Sequence, residues 1–109
     1  MRVYVAGPIG SPNDPAFDGN ILKGVAAGVS IMRAGLSPFV PHLMWPTGQE
    51  GFSYEDYMRV DLEWLRQSQA LVRLPGRSPG ADREVAAAKG LGIPVYDSVE
   101  ALLEAQEVP

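Results

Sequence analysis

Two hydrophobic periods alternate along this chain. "RVYVA" (Arg2–Ala6) is a short apolar run rich in β-branched and aromatic residues, and it stops at Gly7-Pro8, as a buried strand does. The stretch "GPIGSPNDPAF" that follows is dense in Pro, Gly, Asn and Asp and reads as a loop. From Phe17 to Ala34, apolar residues at Ile21, Leu22, Val25, Val29 and Met32 recur at helical spacing. This predicts a helix with those five as its apolar stripe and Gly35 just past its end. "LSPFV" (Leu36–Val40) is a second strand, placed at a sheet edge by Pro38.

"PHLMWPTGQEGF" (Pro41–Phe52) has no sustained period and reads as a long irregular connection. Ser53 with Asp56 three residues on resembles a capping box and opens a helix from Tyr54 to Gln67. "ALVRLPG" (Ala70–Gly76) is a third strand. A helix with Ala81, Val85, Ala88 and Leu91 on one stripe follows it. "IPVYD" (Ile93–Asp97) is a fourth strand, and Val99–Gln106 a closing helix.

Strand and helix therefore alternate throughout, which implies a mostly parallel sheet with helices on both faces. The expected fold is α/β: a single flavodoxin-like (Rossmann-like) three-layer sandwich with a four- or five-stranded parallel sheet, one domain over residues 1–109. If the strand order is 2-1-3-4, a ligand crevice lies between strands one and three, beyond their carboxyl ends. The loops leaving those strands are "GPIGSP" and "PGRSPG", both suited to cradling a ligand with backbone groups.

Charge and composition narrow the function classes. A net charge of −4 over 109 residues offers no electrostatic track for polymeric nucleic acid, although one local site can still hold a small anion. With no cysteine and one histidine, disulfide, thiolate and zinc chemistry are not expected. No apolar stretch approaches the roughly 18 residues of a membrane span, and the first apolar run lacks a leader layout, so the cytoplasm is the expected location.

Two acids fall on apolar stripes. Glu84 lies between Ala81 and Ala88 on the inward face of its helix, and Asp61 lies between Met58 and Leu65 on its own. One such acid is readily explained as the partner of a buried Arg or as a backbone cap. Two near one crevice favour a site. A pair of sheltered carboxylates is the equipment of glycoside cleavage, one attacking or stabilising the sugar cation and the other moving the proton. Glu84 stands near a helix N-terminus, which favours its ionised form, so Asp61 is the expected proton carrier.

Other residues could complete the site. Ser78 is a preferred N-cap, Pro79 suits the first turn, and Gly80 lets a ligand approach the backbone at an anion-attracting helix end. The plain alternative is a cap and nothing more. Tyr4 is a core aromatic whose hydroxyl needs a partner, and a carboxylate across the crevice would serve. His42 and Trp45 could line a base pocket or simply pack. Generic nucleotide-loop and nucleophile-elbow motifs are absent.

Taken in order, "VYVAGPIG", "DLEWLRQSQALVRLPG" and "SPGADREVAAAKGLGIPVY" resemble the nucleoside 2-deoxyribosyltransferase superfamily, above all its branch of 2′-deoxynucleoside 5′-monophosphate N-glycosidases. The resemblance covers nearly the whole chain. It implies that Glu84 is the nucleophile, that Asp61 takes part in catalysis and substrate holding, and that Tyr4 orients the nucleophile. It also implies that Ser78 contacts the substrate phosphate. Around them, Gly7, Pro8, Ile9, Gly10, His42, Trp45 and Gly80 are expected to bind substrate. No metal or other cofactor is implied; a small-molecule nucleoside or nucleotide substrate and a homodimer or larger homo-oligomer are. The chain departs from the monophosphate branch at Pro8 and Gly10, where that branch carries Ser and Arg, with Arg77 or Arg83 as substitutes. Asp82-Arg83 replaces its Gly-Tyr pair, and "EAQEVP" offers no match to the C-terminal segment with which the transferases complete a neighbour's site. These departures sustain an alternative, a nucleotide-binding sensor that uses the same crevice without turnover.

Overall fold

Side-chain alternation in two central strands decides which residues meet on each side of the sheet. In β1 (Arg2–Ala6), Val3 and Val5 face one layer while Tyr4 and Ala6 face the other. In β3 (Ala70–Arg73), Ala70 and Val72 join the first set and Leu71 the second. The computed structural model describes residues 1–107, without the side chains of residues 45–49. Its remaining elements are α1 (Phe17–Arg33), β2 (Ser37–Phe39), a 3-10 helix (Pro41–Glu50), α2 (Tyr54–Arg66), α3 (Pro79–Gly90), β4 (Val95–Tyr96) and α4 (Val99–Glu107).

The sheet is four-stranded and all parallel, in the order β2-β1-β3-β4. Tyr4 is in register with Leu71 and Ala6 with Arg73, so β1 and β3 end side by side and release their loops together. One core packs Val3, Val5 and Val72 against Ile31 of α1 and Leu102 of α4. The other packs Tyr4, Ala6 and Leu71 against Leu65 of α2 and Ala81 and Ala88 of α3. This is the flavodoxin-like three-layer arrangement, a single α/β domain with its topological switch between β1 and β3.

Local signals set the boundaries of α2 and α3. Ser53 caps α2 by accepting from the Asp56 amide at 3.1 Å, and the Asp56 carboxylate accepts from the Ser53 amide at 2.8 Å. Ser78 caps α3 by accepting from the Ala81 amide at 3.1 Å, with Pro79 opening the first turn.

Three expectations are corrected. The buried face of α1 is Phe17, Gly24, Ala27, Gly28 and Ile31, whereas Leu22, Val25, Val29 and Met32 are exposed. Glycine carries no hydrophobic signal, yet here it permits the close approach: a Cβ on Gly24 would lie 2.5 Å from the His42 ring, and one on Gly28 2.9 Å from Val40. Pro41–Glu50 is a 3-10 helix rather than an irregular connection. Leu91 is exposed, because α3 ends at Gly90 and Leu91 caps it outside the packed stripe.

Candidate active site

The alternation of β1 sends Tyr4 into the layer of α2 and α3, and both inward acids come from those helices. Tyr4 is fully buried, Glu84 is 5% exposed and Asp61 9% exposed. The Tyr4 hydroxyl donates to a carboxylate oxygen of Glu84. It also interacts with Asp61. A hydroxyl has a single proton to give, so Tyr4 donates to one carboxylate at a time.

Asp61 and Glu84 both border a cleft of about 940 Å³ at the carboxyl ends of β1 and β3. That volume suits a ligand the size of a nucleotide. The first loop, Gly7 to Pro12, forms one wall, and Arg77 to Ala81 form another. The two loops touch: Gly76 adopts φ +115°, and a Cβ there would lie 2.8 Å from the Pro8 ring. Phe17, Met44, Phe52, Tyr54, Tyr57 and Met58 supply apolar and aromatic lining. A smaller hollow of about 310 Å³ shares Met44, Phe52, Tyr57 and Asp61 with the cleft.

Burial dominates the electrostatics. Desolvation pushes the Asp61 carboxyl up to about 6, against the opposing effect of the Tyr4 hydrogen bond. It pushes Glu84 up to about 7; the charge of Asp61 adds to the rise, and the Tyr4 hydrogen bond and the Arg73 charge oppose it. Burial therefore raises both carboxyls, Glu84 near its helix start as well as Asp61 in mid-helix. Desolvation of Glu84 outweighs any help from the α3 N-terminus, and near neutral pH the pair shares a proton. Tyr4 rises above its ordinary range, first through burial and then through both carboxylates, so it stays a donor.

The other sequence-selected residues separate into two groups. Gly7, Pro8, Ile9, Gly10, Ser78 and Gly80 all line the cleft, as does Arg77. Arg83 does not: it pairs with Glu55 at 2.9 Å and lies over the Tyr54 ring. His42 is fully buried and is not part of the cleft wall, which corrects its expected place in a base pocket; burial lowers its pKa, keeping it neutral. The Trp45 side chain lies outside the described residues.

Two contributors escape sequence reasoning. Arg73, inside an apolar-looking strand, pairs with Asp82 at 3.0 Å and biases Glu84 toward ionisation. Asn20 lines the cleft and donates to the Ile9 carbonyl at 3.3 Å, bracing the first loop. A lone Asn in the first turn of a helix is the available signal.

Residues 1–97 match the family model described as "Domain of unknown function (DUF4406)". The chain belongs to this family. No curated protein matches it. Among solved structures, the DUF4406 chain resembles a 2-deoxyribosyltransferase from the psychrotolerant bacterium Bacillus psychrosaccharolyticus, with a TM-score of 0.69 and 22% identity. The similarity covers 87% of this chain and 69% of that one, and it supports the flavodoxin-like fold. No helix among the described residues of the DUF4406 chain is long and apolar enough to cross a membrane.

Proposed function

We propose that this protein cleaves or transfers at the N-glycosidic bond of a 2′-deoxynucleoside or its 5′-monophosphate. The observation that carries this reading is the buried Tyr4–Glu84 hydrogen bond at a cleft that Asp61 also borders. The similarity of fold to a 2-deoxyribosyltransferase supports it. In the productive form Glu84 is ionised and Asp61 protonated. The Glu84 carboxylate attacks C1′ of the sugar as the bond to the base breaks, and Asp61 donates its proton to the departing base. The Glu84 ester is then opened at C1′ by water or by a second base, with Asp61 taking up the released proton.

Tyr4 keeps Glu84 from rotating out of line, and the aromatic lining shields the reacting bond from bulk water. Arg77 and Ser78, at the opening of α3, take the 5′ end of the substrate in place of the Ser and Arg missing from the first loop. A monophosphate should therefore inhibit more strongly than its nucleoside; equal inhibition would remove the 5′ site.

Chromatography of free base, after incubation with a panel of deoxynucleosides and their monophosphates, tests the reading. Base release is expected, with a bell-shaped rate profile centred between about pH 6 and 7 as the shared proton is gained or lost. Tight binding across the panel with no base released would instead identify a nucleotide sensor.

A further inference from the structure

Asp61 and Glu84 come to one cleft because α2 and α3 lie against each other, and one cluster ties these helices together near their N-terminal ends. Arg83, the residue before Glu84, pairs with Glu55 at 2.9 Å, and its guanidinium lies 5.6 Å from the centroid of the Tyr54 ring. It also interacts with the Tyr54 hydroxyl. Arg83 does not reach the cleft, whereas Tyr54 lines it. The Tyr54 hydroxyl stands beside the start of α3, where a Cβ on Gly80 would lie 3.5 Å from it. Along α2, Tyr54 precedes Asp61 by two turns on the same face, about 10 Å at about 1.5 Å per residue. That leaves room for a sugar between the acid and the ring.

Magnitudes indicate what the cluster does. The Arg83 side chain is 46% exposed and that of Glu55 71%, and an ion pair so open to water adds little to stability. Tyr54 is itself 51% exposed, so packing alone holds its ring weakly, and the cation over its face decides where it stands. Arg83 has only donors to offer, so the Tyr54 hydroxyl keeps its own proton to give to a ligand.

We propose that Tyr54 is a specificity-determining residue of the cleft, donating its hydroxyl proton to the 5′ oxygen of the substrate, and that Arg83, braced by Glu55, is the positioning residue that holds it there. The 5′ oxygen is either a free hydroxyl or that of a phosphate ester. This rests on the glycosidic reading, which sets the 5′ end of the substrate at the start of α3. Arg83 thus serves the 5′ end through Tyr54 and not as a direct ligand of a phosphate.

Calorimetric titration of the full chain carrying Glu84→Gln, which is expected to bind without turnover, tests this. The probes are 2′-deoxyadenosine, its 5′-monophosphate and 2′,5′-dideoxyadenosine. Adding Tyr54→Phe, which keeps the ring and removes the hydroxyl, should weaken the first two by about three- to tenfold, the usual worth of one hydrogen bond. The third probe has no 5′ oxygen and should stay within about twofold. Arg83→Met should reproduce this pattern from outside the cleft, and Arg83→Lys should restore affinity to within about twofold. Melting temperatures should change by no more than about 3 °C, because these side chains are exposed. Equal losses for all three probes in Tyr54→Phe, or no loss, overturn the proposal, as does failure of the parent protein to bind any of them. Unchanged affinities in Arg83→Met, or a loss that Arg83→Lys does not repair, overturn the positioning role. The glycosidic reading fails separately: if the wild type releases no adenine but the Tyr54 pattern holds, Tyr54 reads the 5′ end of a nucleotide sensor.

Discussion

Replacing Glu84 by Gln should abolish base release and, at pH 8, make the protein more stable. Both effects follow from one property, a carboxylate held at 5% exposure with its pKa pushed from an ordinary 4.5 to about 7. Because the folded value lies above the unfolded one, the contribution to stability is present in full below about pH 4.5. It is lost as pH rises through about 7. At pH 8 the ionised group therefore costs the fold on the order of 3 kcal/mol. Glutamine has nearly the same shape, can still accept the Tyr4 hydroxyl proton, and carries no charge. Part of the gain is offset where its amide needs an acceptor. A melting temperature raised by at least about 4 °C at pH 8, with little change near pH 5, is expected in scanning calorimetry. A Glu84→Gln protein that melts lower at pH 8 would make Glu84 a structural residue.

Asp61→Asn should slow base release by about 10²- to 10⁴-fold, the usual worth of a general acid. Bases that leave poorly without a proton should suffer most. The substitution has a second signature. In the productive form Asp61 is protonated and carries no charge, as Asn carries none, so Glu84 ionises in similar surroundings in both proteins. The acid limb of the kcat/KM profile should therefore stay in place while the alkaline limb, which reports loss of the Asp61 proton, disappears. Equal losses for every base, with the alkaline limb retained, would indicate that Asp61 grips the sugar and transfers no proton.

The acids of this site were legible because each interrupts an apolar stripe. Asp61 sits among Met58 and Leu65, and Glu84 among Ala81 and Ala88, where a charge has no packing reason to be. The parallel sheet was legible from the alternation of strands and helices, and the end of β1 from the abrupt Gly-Pro stop, whereas the strand order entered only as a condition. The orientation of α1 was not. It has apolar side chains on two faces, and the face that packs is chosen by Gly24 and Gly28, which admit His42 and Val40. Without that notch in view, a lone His in a Pro-rich stretch looks like a ligand contact, whereas it is a neutral, buried packing residue. The rise of the Glu84 pKa was equally hidden, because helix position is local but desolvation depends on everything that surrounds Glu84.

The central claim is that Glu84 forms a bond to the sugar. Mixing the protein with a 2′-deoxynucleoside or its 5′-monophosphate, quenching in acid within a turnover, and digesting for mass spectrometry tests it most directly. The account predicts a deoxyribosyl adduct on the peptide that contains Glu84, absent from the Glu84→Gln variant. Rapid base release with no adduct, or an adduct carried by Asp61, would contradict it.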